Sequence, residues 1–324
     1  LVENLLPDSF TETHILKRID SMFTAAGRLR RKDGSMEEAF PYEGSFCVTA
    51  LVAYDFLTAV ELLNERLDAA TKKRYLSTIQ PMINYLQHAE ETHAFISNHL
   101  ATAVAALFKW CELTGDSSRN RAEEILGRIF SEQSEEGWYR EYEGADPGYQ
   151  TLCSYYLADV MRMRGGADLK DSLVRSMRFL WHFAHLDGSF GGIYGSRNTR
   201  FYYPAGVEFL AAEMPEAAAL AKYMRKSIAR QSVVSLMAMD EPNLIPMFNS
   251  YCWAAVEARP IPEELALPSH SKETFRRYWP ASGLLVERGA KHYTIVSGRK
   301  GGVVYHYRDA HPPVINTGLL FKSD

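Results

Sequence analysis

The stretch Glu135 to Val160, EEGWYREYEGADPGYQTLCSYYLADV, decides the fold. A polar, aromatic loop built on Gly137, Gly144 and Gly148 turns into an apolar helix. The same plan recurs along the chain. Gly34 is followed by FPYEGSFCVTALVAYDFL, His93 by AFISNHLATAVAALFKW, Gly188 by SFGGIYGSRNTRFYYPAGVEFLAA and Asn243 by LIPMFNSYCWAAVEA. The apolar runs open at Ser45, Asn98, Gly148, Pro204 and Asn249, in steps of 53, 50, 56 and 45 residues. A period of about fifty residues, with one loop and two helices per unit, predicts a repeat of helical hairpins.

Working outward, helices are expected at Thr11 to Gly27, Ser45 to Asn64, Ala69 to Gln87, Asn98 to Thr114, Ser117 to Gln133, Gly148 to Arg164, Leu169 to His185, Pro204 to Glu213, Glu216 to Met239 and Asn249 to Glu257. Those that follow the aromatic loops carry few charges, as in Ala101, Ala103, Val104, Ala105, Ala106 and Leu107. The others carry charged stripes such as Arg119, Arg121, Glu123 and Glu124. A helix apolar all round must be enclosed by protein, and a charged stripe faces water. The alternation predicts a mainly α, incomplete (α/α) toroid over residues 1–258, with the aromatic loops gathered at one mouth.

From Arg259 the character changes. Pro260, Pro262 and Pro268 mark 259–282 as a linker. Over 283–307, GLLVERGAKHYTIVSGRKGGVVYHY alternates β-branched or aromatic residues with polar ones, which reads as two or three antiparallel strands, and 283–324 as a whole reads as an antiparallel β segment, the start of a truncated β-sandwich.

The 324 residues are 46% hydrophobic and carry 36 basic against 40 acidic side chains, a formal charge of -4. Neither nucleic acid nor an anionic membrane is argued for by that balance. No run is long enough to span a bilayer, so the chain is expected to be soluble: periplasmic or secreted if a signal peptide was removed, cytoplasmic otherwise. Cys47, Cys111, Cys153 and Cys252 show no CxxC spacing and read as buried, reduced thiols. No metal or cofactor is called for.

The mouth loops hold the residues that could carry chemistry. Asn98 and His99 open an apolar helix, where Asn98 is also a good N-cap. Tyr149, after Asp146-Pro147-Gly148, takes the equivalent place on the next such helix. A tyrosine hydroxyl near His or Arg can move a proton to or from carbon, and an amide can neutralise an adjacent carboxylate, a set suited to proton removal beside a uronate. In GSRNTRFYYPAG, Arg197, Asn198 and Arg200 crowd together with Tyr194 and Tyr202, and Trp138 lies in the preceding loop. Guanidinium forks match carboxylate or sulfate, and aromatic faces stack on pyranose rings.

With Asn98-His99, Tyr149 after EGADPG, and the hairpin GLLVERGAKHYTIVSGRKGG following the helices, the chain resembles the heparinase II/III-like and alginate-lyase-like polysaccharide lyases, which join an α/α toroid to an antiparallel β-sandwich. That resemblance implies an acidic polysaccharide substrate cleaved by β-elimination, with Tyr149 as base or acid at the sugar C5, His99 as its counterpart and Asn98 as the carboxylate neutraliser. It also implies a histidine from the sandwich, for which His306 and His311 are the candidates. Two other readings stay open. A glycoside hydrolase would use paired carboxylates from Glu141, Glu143, Asp146 and Asp187, and a carbohydrate-binding toroid would need no catalyst. A terpene-cyclase-like toroid, suggested by Asp187-Gly188-Ser189-Phe190, lacks the Asp-rich segment that such chemistry uses.

Overall fold

The computed structural model describes residues 10–261, 266–309 and 311–319. Its contacts divide into two compact units, Leu1–Ala94 with His99–Arg128, and Phe95–Asn98 with Ile129–Asp324.

The first unit holds α1 (Glu12–Leu29), α2 (Phe46–Leu62), α3 (Ala69–His88), most of α4 (Ser97–Thr114) and the start of α5 (Arg119–Glu132). Ser45 caps α2 through its hydroxyl and Asp68 caps α3 through its carboxylate, so both helices begin where a side chain satisfies a free amide. Phe23 of α1 stacks between Phe56 of α2 and Tyr75 of α3. Every residue from Leu100 to Trp110 is buried, as an all-apolar helix requires. Its one charge in that run, Lys109, donates to Glu61 at 2.6 Å.

The second unit begins with the short strands β1 (Arg140–Glu141) and β2 (Gly144–Ala145). It continues through α6 (Pro147–Arg164), α7 (Ala167–Leu180), α8 (Pro204–Leu210), α9 (Pro215–Ala229) and α10 (Glu241–Glu257). α6 and α8 cross closely because Gly206 lacks a Cβ, which would lie 2.6 Å from the Ser154 carbonyl carbon. Five antiparallel strands follow in sequence order: β3 (Phe275–Trp279), β4 (Leu284–Arg288), β5 (His292–Ser297), β6 (Val303–Arg308) and β7 (Val314–Asn316). Alternate residues of β4, β5 and β6 are buried. That face lies on the helical part of the unit: the Tyr293 hydroxyl donates to the His182 carbonyl at 2.6 Å, the Ile193 amide to the Tyr305 hydroxyl at 3.2 Å, and Trp279 packs edge-on to Phe179 and His182.

The fold class is therefore as the sequence predicts, mainly α hairpins followed by antiparallel strands, but several boundaries move. β4, β5 and β6 are the strands expected over 283–307, while β3 lies inside the stretch read as linker and β7 follows them, so the sheet has five strands among the described residues. α9 ends at Ala229 rather than Met239, because Gln231 takes φ 56° and the Ser232 amide folds back onto the Ser227 carbonyl at 3.0 Å. α10 starts eight residues earlier than expected and carries Pro246 in its interior, beside the buried Met247. Of the four free thiols only Cys153 is buried, the other three being half-buried. No described helix is long and apolar enough to cross a membrane.

Candidate active site

Asp146 is the residue around which the second unit's loops are arranged. As N-cap of α6 it accepts the Tyr149 amide on Oδ1 at 3.1 Å, and its Oδ2 accepts the Arg197 amide at 2.8 Å and the Thr199 amide at 3.4 Å. The Thr199 hydroxyl donates to Oδ1 as well. The carboxylate is wholly buried, and that burial raises its pKa against the pull of these donors. Gly148 makes the approach possible, since a Cβ there would sit 2.1 Å from Thr199 Oγ1. One side chain thus ties the start of α6 to the 195–199 loop.

At that start Pro147, Gly148, Gln150 and Thr151 are buried, while Tyr149 is half-exposed and meets Phe201 edge-on at 5.1 Å. Arg197 is exposed and its guanidinium lies 4.1 Å from the centre of the Tyr142 ring. Asn198 and Arg200 are exposed beside it, Asn198 with φ 62°. The other aromatics expected at the mouth sit deeper. Trp138 is buried and its Nε1 donates to Glu136 at 2.8 Å; Glu136 also accepts the Ala281 and Ser282 amides at the β3–β4 turn. Tyr194 and Tyr202 are buried as well. The Tyr194 hydroxyl is 2.8 Å from His185 Nε2, and Tyr202 packs edge-on to Phe190.

Asn98 does not cap α4, which begins one residue earlier at Ser97. Instead Glu141 clasps it: Oε1 accepts the Asn98 amide at 3.0 Å and Oε2 accepts Asn98 Nδ2 at 2.8 Å. Glu141 is fully buried on β1, whose neighbour Arg140 offers its carbonyl to the Ser97 hydroxyl at 2.7 Å. Burial pushes the Glu141 carboxyl up to about 8, with the nearby Asp146 adding to the rise and Asn98 and Arg197 opposing it. Both buried carboxylates are occupied by protein donors; the other acids of the hydrolase reading, Glu143 and Asp187, are exposed.

In the first unit, His99 Nδ1 lies 2.6 Å from Glu91 Oε2. The Glu91 side chain is 3% exposed and that of His99 18%. Burial raises the Glu91 pKa, but the hydrogen bonds from His99 and the His93 amide outweigh it and hold the acid below its usual value. Sequence reasoning missed Glu91, which stands eight residues before His99 with no motif to mark the pairing. It also missed Thr199. On the sheet, His306 Nδ1 is 2.8 Å from Thr294 Oγ1 and its ring stacks on His292, and His311 is exposed. Among the described residues no cluster of histidine, cysteine and acidic side chains could hold a metal ion.

No family model and no curated protein sequence matches the chain. Solved structures do. The chondroitin AC lyase of Streptomyces coelicolor A3, in complex with chondroitin sulphate, superposes with a TM-score of 0.59 at 11% identity over 92% of this chain. Heparinase III superposes with 0.56 at 12% identity over 93%. The chain spans 46% of the length of each. Its fold is polysaccharide-lyase-like, helical hairpins leading into an antiparallel sheet as in those α/α toroid enzymes.

Proposed function

We propose that the chain is the catalytic part of a lyase that cleaves a uronic-acid-containing polysaccharide by β-elimination. The observation that carries the reading is the Asp146 clamp. Its two oxygens hold the amides of Tyr149 and Arg197, so the backbone that carries a half-exposed phenol and an exposed guanidinium is tied to one buried anchor. In this reading Arg197 and Arg200 pair with the acidic groups of the polymer, and Asn198 with its hydroxyls. Trp138, Tyr194 and Tyr202, all buried, are left out of the substrate contacts in this reading.

Asn98 neutralises the substrate carboxylate. Glu141 accepts from both the Asn98 backbone amide and Nδ2, which fixes the direction of the side-chain amide in this reading. Tyr149 acts as the phenolate and takes the C5–H proton, the C5 electron pair forms the C4–C5 double bond, and the C4–O bond breaks as its oxygen takes that proton from the Tyr149 hydroxyl.

Incubation with alginate, heparan sulphate or chondroitin sulphate should raise the ultraviolet absorbance of the conjugated uronate product. Tyr149→Phe should lose turnover by about a hundredfold or more with its melting temperature unchanged, because only the hydroxyl goes. New reducing ends without that absorbance would move the reaction to hydrolysis, and a fully active Tyr149→Phe would remove Tyr149 from the chemistry.

A further inference from the structure

The β5–β6 turn of the second unit, Ser297-Gly298-Arg299-Lys300-Gly301-Gly302, has no part in the reaction described above. It is braced on both sides. The Gly298 amide donates to the Gly283 carbonyl at 2.9 Å, just before β4, and the Leu319 amide, past β7, donates to the Gly301 carbonyl at 2.8 Å. Gly301 takes φ 69°, and a Cβ there would lie 2.5 Å from the Leu319 carbonyl oxygen, so this turn closes only on glycine. From that stem the half-buried Lys300 donates through Nζ to the Ser196 carbonyl at 3.5 Å. The sheet thus reaches the loop that carries Arg197.

Neither 195–200 nor 297–302 contains an acidic residue, while the first holds Arg197 and Arg200 and the second Arg299 and Lys300. Among the described residues none of these four cations is in an ion pair, whereas Arg140, Arg164 and Arg225 of the same unit each meet an acid. The acids nearby do not cancel them. Glu141 is pushed up to about 8 and is largely protonated at neutral pH, Asp146 is enclosed by the Tyr149, Arg197 and Thr199 amides, and the exposed Glu143 is in no ion pair among the described residues. The two cations of the β5–β6 turn are used differently. Arg299 lays its stem over Gly283, where a Cβ would meet Arg299 Cγ at 2.7 Å, while Lys300 goes to Ser196. An ammonium carries three protons, and the Ser196 carbonyl takes one.

We infer that Lys300 is a specificity-determining residue of the same site: next to Arg197, it holds an oxyanion, sulphate ester or carboxylate, on the sugar that adjoins the cleaved uronate. The inference rests on the lyase reading above. The uronate brings one carboxylate, which Asn98 takes in that reading, so Arg197 and Lys300 call for a further anion. The preferred polymer then carries acidic groups on both members of its repeat, and a polymer with an uncharged sugar beside the uronate binds more weakly. An ammonium is a point charge that imposes no fork geometry, so either oxyanion satisfies it.

The test is KM and kcat of the whole chain, read by the absorbance of the unsaturated product, with chondroitin sulphate set against desulphated chondroitin and with alginate as the all-carboxylate case. Lys300→Gln should raise KM about fivefold with kcat within about twofold, and Lys300→Arg should stay within about twofold of wild type in both. Arg299→Gln removes the same charge from the same turn and should leave KM unchanged. A wild-type preference of about fivefold for the sulphated chain that Lys300→Gln abolishes assigns a sulphate; the rise in KM on alginate assigns a carboxylate. An unchanged KM in Lys300→Gln on a polymer that the wild type cleaves overturns the subsite alone. So does an equal rise on sulphated and desulphated chondroitin, or an equal rise in Arg299→Gln, which would mark a diffuse charge effect. A wild type that cleaves none of these polymers overturns the lyase reading and the subsite with it.

Discussion

Asn98 and His99 are consecutive, and each is held by a glutamate, but the two glutamates differ in charge state. Glu141 beneath Asn98 is fully buried among neutral donors, and burial pushes it up to about 8, which leaves it largely protonated at neutral pH. Glu91 beside His99 is almost as inaccessible, yet hydrogen bonds from His99 and the His93 amide hold it low and ionised. Burial alone does not set the charge of a carboxylate; a partner that can itself become a cation does. On one turn of chain the protein thus keeps a neutral strut for an amide and an anionic strut for an imidazole.

The largest effect that would break this contrast is removal of the neutral strut. Glu141→Ala removes the buried carboxyl that accepts from the Asn98 amide and Nδ2 and should destabilise the fold by about 3 kcal/mol, read by denaturant unfolding. A loss below about 1 kcal/mol would mean that Glu141 is not a strut.

Next comes the pH dependence. A folded-state value raised from 4.5 to about 8 means that the native state binds the proton more tightly than the unfolded chain does, so the contribution of Glu141 is full below 4.5 and is lost as pH rises through about 8. Asp146 is raised as well and slopes the same way, so the comparison must be made between proteins. Melting temperature should fall over that interval in the wild type and fall less in Glu141→Gln. Parallel curves would refute a raised Glu141.

Glu91 predicts the opposite sign. Its lowered value gives stability that is present above 4.5 and is lost as pH falls through the folded value. Glu91→Gln should therefore cost about 1 kcal/mol at neutral pH and little in acid, measured by calorimetry at both. An equal cost in acid would show that the pairing is not ionic.

The smallest stability effect is expected at Arg197, exposed and stacked on Tyr142. Arg197→Ala should change stability by less than about 0.5 kcal/mol while raising KM for an acidic polymer several-fold. Lost stability with unchanged KM would make the stack a structural contact only.

Legibility in the sequence followed the range of the interaction. Tyr149 was legible because Asp146-Pro147 marks a helix start by local chemistry: Asp146 takes the Tyr149 amide three residues on. Glu141 could be named as an acid in a mouth loop, but its bond to Asn98 spans 43 residues and leaves no period to read. Trp138, Tyr194 and Tyr202 show the limit from the other side. Composition puts aromatics near the mouth, and only packing decides that these three are buried.

By itself, the sequence determined the hairpin repeat, the switch to strands and, to within a residue, where α2 and α6 start. Those depend on periodicity and on side chains reaching a few residues along their own backbone. Tertiary structure alone decided that Asp146 joins Tyr149 to Arg197, that Asn98 rests on Glu141 and His99 on Glu91, and that β3 begins within the proline-rich stretch. Those outcomes depend on which groups share a buried space, where desolvation and the choice of partner fix charge and direction.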